Sequence, residues 1–117
     1  MKIGISANSS FDSVDAALLA VATAVEKLPV GDTDLTVYYT NNGQLGKALE
    51  EIANKNNSID AGARVFTMSC EKVTTAWVKN NADMLDEYVV LKKMGESTPP
   101  AADEAKKKGT KLRNVRW

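Results

Sequence analysis

The sequence lacks histidine altogether and contains a single cysteine, Cys70. Without histidine, the chain cannot supply a Ser–His or Cys–His pair or a histidine-ligated metal centre, so these classes of chemistry are excluded from within it. A lone cysteine cannot form an internal disulfide, which fits a reducing compartment. We therefore expect a cytoplasmic protein.

Long apolar runs are missing as well. No segment approaches the roughly 18 consecutive apolar residues that span a bilayer, and the opening MKIGISANSS has one lysine and no long apolar stretch. These absences predict no membrane segment and no secretory signal. The composition of the 117 residues, 44% hydrophobic and 26% charged, is typical of a globular domain with one modest core.

Charge is balanced in total but not along the chain. Fifteen basic residues match fifteen acidic ones, yet residues 105–117 contain six cations and no acid. The rest of the chain therefore has six more acids than cations. Such a segment can bind a polyanion, aid solubility as a solvated tail, or fold onto its own acidic body or a neighbouring subunit. The six cations are Lys106, Lys107, Lys108, Lys111, Arg113 and Arg116.

Alternating strand and helix patterns predict an α/β fold with a small, mainly parallel, three-stranded sheet in the order β-α-β-α-β-α. The predicted strands are 2–6, 34–40 and 63–69, and the predicted helices are 14–28, about 43–53 and 71–94. In the first helix, the expected buried face is Val14, Leu18, Val21, Val25 and Leu28. Within 71–94, the stretch VTTAWV also suits a strand.

The last 21 residues lack apolar periodicity, and a proline pair at 99–100 argues against a continuing helix. We therefore predict a compact α/β domain over residues 1–96 and a flexible basic tail over residues 97–117. The tail ends in Trp117, an aromatic ring that could stack on a base.

Several segments resemble parts of the ribonuclease H fold. DAALLAVATAVEKL (15–28) followed by LTVYYTNNGQLGKAL (35–49) is similar to the family's helix, strand and helix, in which the strand ends in YTDS. ISANSS (5–10) is similar to a substituted form of the family's YTDGS, and WVKNNADML (77–85) to a shortened form of a later segment. The likeness extends in pieces over residues 2–90. A flavodoxin-like domain is the alternative for a parallel α/β chain of this length.

Two departures from the family affect the expected function. The hairpin that normally follows the first strand has no room here, so the first strand would lie at an open sheet edge, which predicts a homodimer through that strand. The resemblance also places Asn8, Ala17 and Asn41 where metal-binding carboxylates are expected, leaving Asp83 alone. Since divalent hard cations need anionic oxygens, the resemblance implies a non-catalytic protein with neither a metal nor a cofactor.

The ends of the predicted strands are polar and lead into helices, the usual ligand-binding edge of a parallel sheet. Asparagine and serine at these positions are also common helix caps, which is the competing interpretation. Neither a G-x-G-x-x-G nor a Walker motif is present. The residues we predict to bind nucleic acid are the six cations above, Trp117, Asn8, Ser9, Asn41 and Asn42.

The leading hypothesis is a non-catalytic accessory protein that binds RNA, DNA or a nucleic-acid-processing partner. Such compact forms of enzyme folds suit phage or mobile-element accessory proteins. One alternative is an adaptor or inhibitor that docks on an acidic protein through its basic tail. Another is a residual metal-dependent nuclease that uses Asp83 with Asp12 or Asp15.

Overall fold

The computed structural model describes residues 1–8, 10–40, 43–54 and 66–116, and these form an α/β fold with one five-stranded parallel sheet and four α-helices. The strands are β1 (Lys2–Ala7), β2 (Asp34–Thr40), β3 (Thr67–Val73), β4 (Glu87–Lys92) and β5 (Leu112–Arg116). The helices are α1 (Val14–Glu26), α2 (Gly43–Asn54), α3 (Thr75–Asn81) and α4 (Pro100–Lys107), with a 3₁₀ turn at Ala82–Met84. Within the described residues, no helix is long and apolar enough to cross a membrane.

The strand order β3-β2-β1-β4-β5 places β1 at the centre of the sheet. One side of β1 pairs with β2, with Ile3 opposite Val37, and the other side pairs with β4, with Ile3 opposite Glu87. The predicted open edge at the first strand is therefore wrong, and with it the basis for a homodimer through β1. A flavodoxin-like order would place β3 beside β1, so the pairing of β3 with β2 also excludes that alternative.

Helix α1 covers one face of the sheet together with α2. Its N-terminus is capped by the Ser13 hydroxyl, which accepts a hydrogen bond from the backbone N–H of Ala16 at 3.1 Å. The predicted span is close to the observed one, but Val14 and Leu18 are exposed. Alanines fill much of the buried face instead, which brings the helix backbone close to the strands. The buried residues are Ala16, Ala17, Ala20, Val21, Ala24 and Val25.

The opposite face of the sheet is covered by α3 and α4 around the fully buried ring of Tyr88. Gly4 in β1 makes room for this ring, because a Cβ at Gly4 would lie 2.3 Å from it. The Tyr88 hydroxyl is hydrogen-bonded to Ser6, which in turn lies 2.6 Å from the Thr40 hydroxyl oxygen. The core therefore has two layers, one on each face of a doubly wound sheet.

The predicted helix at 71–94 is wrong over most of its length. It contains the end of β3, α3, the 3₁₀ turn and the whole of β4. The reason is that Tyr88 to Leu91 are all buried, alternately against the two helical layers. A continuous apolar run is typical of a central parallel strand, but it has no period of two and is easily taken for part of a helix. The described residues therefore form five strands rather than the predicted three.

The predicted flexible tail is also wrong, because residues 100–116 form α4 and β5. Pro100 occupies the first turn of α4, where proline's fixed φ is favourable and its missing N–H is not needed. The helix packs through Ala101, Ala102 and Ala105, residues too small to give a clear apolar signal. β5 pairs with β4 in parallel, with Val115 opposite Leu91. The last strand is thus part of the same sheet.

Candidate functional site

The order in which the strands are added to the sheet reverses between β1 and β4. Polar loops meet at the carboxyl ends of these two strands. The Asn8 side-chain amide donates to the carbonyl oxygen of Ser97 at 2.7 Å, and the Ser10 hydroxyl donates to the Glu96 carboxylate. Lys93 adds an ion pair to Asp12 at 3.1 Å, which links the same two loops. The predicted site residue Asn8, together with Ser10, is therefore bonded to the loop that follows β4.

Glu96 organises the β4 side of this crevice. Its carboxylate accepts hydrogen bonds from the Ser10 hydroxyl and from the backbone N–H of Lys93, the latter at 2.7 Å. These two bonds hold the pKa of the Glu96 carboxyl below its ordinary value. Asn8 does not cap α1, since Ser13 does, so the competing interpretation of Asn8 as a helix cap does not apply either. Ser9, Asn41, Asn42 and Trp117, also predicted to bind nucleic acid, lie outside the described residues.

The basic segment forms a corner between α4 and β5, at the amino end of β5. We define the lysine corner as Lys106, Lys107, Lys108 and Lys111. All four residues are exposed. Gly109 has a φ of 81°, which turns the chain out of the helix. The backbone N–H of Thr110 bonds to the Ala105 carbonyl at 3.1 Å, and the Thr110 hydroxyl donates to Ala82 at 2.9 Å. The lysines therefore stand on an ordered turn.

The two arginines of the same segment have different environments. Arg116 is exposed at the carboxyl end of β5, at the opposite end of that strand from the lysine corner. Arg113 points into the α1 side of the sheet, where its guanidinium donates to Glu87 at 2.9 Å and to the carbonyl oxygen of Ala20 at 2.9 Å. Part of the basic segment thus folds onto the chain's own acidic body, which was one of the three readings of the charge pattern.

We define the Glu87 network as Glu87 with Arg113 and Lys27. Glu87 is only 3% exposed, and its second carboxylate oxygen accepts a hydrogen bond from Lys27 at 3.1 Å. Burial alone would raise the pKa of Glu87, but the hydrogen bonds and charges of Arg113 and Lys27 outweigh it and lower the pKa below its ordinary value. The network is therefore an internally satisfied, ionised cluster.

A shallow cleft of about 320 Å³ lies beside the Glu87 network at the amino end of the sheet. The N-terminal ammonium donates to Asp32 at 3.2 Å within it, and Asp86 accepts from the backbone N–H of Lys2 at 2.8 Å. Asp32 therefore holds the start of β1 against the turn before β2, and Asp86 holds it against the start of β4. The cleft is lined by Met1, Lys27, Pro29, Asp32 and Asp86.

The carboxylates of the nuclease alternative are not brought together. Asp83 lies in the 3₁₀ turn ahead of β4, at the amino end of the sheet, whereas Asp12 and Asp15 follow β1 at its carboxyl end. Since β1 and β4 are parallel, Asp83 lies at one end of these strands, and Asp12 and Asp15 lie at the other end. Within the described residues, no group of three or more His, Cys, Asp or Glu side chains is placed to hold a metal ion.

A smaller pocket of about 140 Å³ opens at the carboxyl ends of β2 and β3, beside the start of α2. We call it the Tyr39 pocket; it is lined by Tyr39, Gly43, Gly46, Lys47, Glu50 and Lys72. Tyr39 is 8% exposed, and its ring lies against Gly46, where a Cβ would be 2.9 Å from a ring carbon. Burial, together with the charge of Glu50, raises the pKa of the Tyr39 hydroxyl. The hydroxyl is therefore a neutral donor.

Cys70 lies next to the Tyr39 pocket without forming a reactive site. Its thiol donates to the Leu49 carbonyl at 3.6 Å. Burial, reinforced by the charge of Glu50, raises the pKa of the Cys70 thiol to about 11. Because the thiolate is the nucleophilic form, this environment suppresses cysteine chemistry.

The fold and its carboxyl-edge loops define a doubly wound parallel α/β domain, the class in which ligands bind beyond the carboxyl ends of the strands. Comparison with protein-family models, with curated proteins and with solved structures finds no significant match to this chain. The functional proposal therefore rests on the side chains alone.

Sequence reasoning did not find the Tyr39 pocket or the Glu87 network. Tyr39 is on the predicted buried face of its strand, with Leu35 and Val37, and the structure confirms that face. A signal for the pocket existed at Gly46, whose missing Cβ makes room for the Tyr39 ring. No comparable local signal pointed to Glu87, because its partners are 60 and 26 residues away.

Proposed function

We propose that the protein is a non-catalytic accessory protein that binds nucleic acid through the lysine corner. The observation that carries the proposal is the presence of four exposed lysines within six residues on an ordered turn. Lysine side chains neutralise phosphates and release the counterions condensed on them, which is the main source of non-specific affinity for nucleic acid. Function then resides in a surface, and no reaction is required.

The order of the corner supports the proposal. A lysine tail without structure would lose conformational freedom on binding, and this loss would offset part of the affinity. Here the hydrogen bonds of Gly109 to Lys106 at 3.0 Å and of Thr110 to Ala105 fix the backbone beforehand. The corner therefore presents its charges at a smaller entropic cost.

The arrangement of the lysines favours a single strand over a flat acidic surface. Residues 106, 107 and 108 follow one another along the end of a helix, where successive side chains point about 100° apart. A rigid protein surface can contact only some of these divergent lysine side chains at once. A flexible single-stranded nucleic acid can bend to contact all of them. Helix-end lysines also interact favourably with the helix dipole, but that effect does not require four of them.

The ribonuclease H-like likeness of residues 2–90 is a separate proposal. It is supported by the order α1, β2 and α2 along the chain, in which β2 leads directly toward α2 as in the resemblance. The central position of β1 does not support it, since the likeness implied an edge position. The nucleic-acid proposal does not depend on this likeness, because the lysine corner lies in α4 and the turn that follows it.

The test is fluorescence anisotropy with labelled single-stranded RNA, single-stranded DNA and an RNA–DNA hybrid, at two salt concentrations and with Mg²⁺ present. The variant is Lys107→Gln/Lys111→Gln, and the matched control is Lys92→Gln/Arg116→Gln, which removes the same charge at the opposite, carboxyl end of β4 and β5. We expect the corner variant to bind single strands roughly tenfold to thirtyfold more weakly at about 0.1 M salt. We expect the control to bind like the wild type.

Equal losses in both variants, or no binding by the wild type, would overturn the proposal. The alternative of an adaptor for an acidic protein would then explain the corner. A fluorescence signal that falls with time in the presence of Mg²⁺ would indicate cleavage and would contradict the non-catalytic part.

A further inference from the structure

We propose that the Tyr39 pocket binds a phosphate group, either as inorganic phosphate or as the phosphate of a small monoester. The site is distinct from the lysine corner. It lies at the carboxyl ends of β2 and β3, beyond β1 from β5 in the strand order. Strand ends of this kind are the usual ligand edge of a doubly wound sheet.

The unused hydroxyl of Tyr39 is the first observation. Tyr39 is more than nine-tenths buried, yet among the described residues its hydroxyl has no hydrogen-bond partner. The hydroxyl oxygen would lie 3.2 Å from a Cβ placed on Gly46, which also lines the pocket. The ring is packed in the core, but the hydroxyl itself is accessible from the pocket, since no buried side-chain oxygen among the described residues lacks a partner. A ligand oxygen in the pocket would accept its hydrogen bond.

Two cations converge on the same space and form the second observation. Lys72 shares the face of β3 with Met68 and Cys70, the side covered by α2, and lines the pocket opposite Lys47. Neither ammonium forms an ion pair or hydrogen bond with any described residue. A pair of unpaired ammonium groups beside a phenolic donor matches the several acceptor oxygens of a phosphate.

The start of α2 contributes to the same field. Gly43, the first residue of α2, lines the pocket, and the first turn contains no acidic side chain. The partial positive charge of the helix N-terminus is therefore not neutralised by the helix itself and favours an anion. It adds to the tyrosine and the lysines, which carry the inference.

Size and charge restrict the ligand. The pocket, of about 140 Å³, is small and opens to solvent, so it can hold one phosphate group but cannot enclose a base and sugar. Glu50 also lines the pocket and opposes the two lysines, since it raises the pKa values of both Tyr39 and Cys70. Removing its charge should therefore strengthen phosphate binding, a result that a purely structural role of these residues does not predict.

The test is a titration of the full chain with sodium phosphate, followed by ¹H–¹⁵N NMR at constant ionic strength. Parallel titrations use AMP, to separate a monoester from free phosphate, and sodium chloride, to measure the effect of salt. We expect saturable shifts confined to the amides of Gly43, Gly46 and Lys72. Shifts with AMP alone would identify a monoester, and shifts with both would identify the phosphate itself.

The variants divide the site into its parts. Tyr39→Phe and Lys72→Gln should each weaken phosphate about tenfold, as expected for a lost charge-assisted hydrogen bond, whereas Glu50→Gln should tighten it roughly threefold. The matched control is Tyr38→Phe, whose ring stacks on Trp77 on the other face, and it should leave affinity unchanged. Lys107→Gln/Lys111→Gln should also leave it unchanged. A response identical with chloride, or equal effects of Tyr38→Phe and Tyr39→Phe, would overturn the proposal.

Discussion

The Glu87 network and the Tyr39 pocket lie at opposite edges of the sheet and contain similar groups in different states. Each has two cations beside a largely buried polar side chain. In the network, Lys27 and Arg113 complete the hydrogen bonds of Glu87 at distances of 2.9 to 3.2 Å. In the pocket, the Tyr39 hydroxyl has no partner among the described residues. A side chain whose hydrogen bonds are all made within the chain is expected to have a structural role. A hydroxyl without a partner, beside two unpaired cations, is expected to bind a ligand.

The largest expected effect is on stability, at the network. Arg113→Ala removes the main partner of a buried carboxylate, and we expect the free energy of unfolding to fall by about 2–4 kcal/mol, since Lys27 retains part of the pairing. Urea denaturation followed by circular dichroism measures this change. The matched control is Arg116→Ala in the same strand, which should change stability by no more than about 0.5 kcal/mol. Similar effects of the two changes would show that Glu87 does not depend on Arg113.

A smaller effect separates two buried tyrosines. Tyr88→Phe removes a hydroxyl that is hydrogen-bonded to Ser6, and we expect a loss of about 1–1.5 kcal/mol. Tyr39→Phe removes a hydroxyl without a described partner, and its stability in phosphate-free buffer should stay within about 0.5 kcal/mol of the wild type. Thermal unfolding of both variants in that buffer makes the comparison. An equal loss at Tyr39 would mean that its hydroxyl is bonded within the chain.

The pH dependence of stability gives a third comparison. The pKa of Glu87 is lower in the folded chain than its ordinary value of 4.5, so the stability that the network provides is fully present above that value. It is lost as the pH falls from 4.5 through the folded pKa. Glu87→Gln should therefore flatten the decline in stability below about pH 5, measured by urea denaturation from pH 7 to pH 3. If Glu87→Gln loses stability below pH 5 as steeply as the wild type, the proposal that Glu87 is ionised in the network is contradicted.

The elements that could be predicted from sequence are those that bury one face, because their apolar residues then recur with a clear period. α1 and β2 were predicted nearly to their ends, and Leu35, Val37 and Tyr39 share the predicted face. β4 was missed because it is buried on both faces, which removes the period of two. α4 and β5 were missed because their packing depends on alanines and on pairing with β4, a partner that local sequence does not reveal.

The candidate sites divide in the same way. The charge pattern identified the lysine corner without structure, because charge is visible in sequence and these lysines are exposed. The charge pattern could not separate Arg113 from the other cations. Arg113 is drawn into an ion pair with Glu87, and the two residues are neighbours only in the folded sheet. The Tyr39 pocket could not be predicted, because it forms only where β2 and β3 pair and place Tyr39 opposite Lys72.

The most direct test of the central claim is the salt dependence of single-stranded RNA binding. The logarithm of the association constant is plotted against the logarithm of salt concentration for the wild type, Lys107→Gln/Lys111→Gln and the control Lys92→Gln/Arg116→Gln. Each lost phosphate contact reduces the slope by about 0.7 for a single strand. We predict a slope about 1.4 shallower for the corner variant alone, with the control variant parallel to the wild type. Three parallel lines would contradict the lysine corner as the nucleic-acid surface.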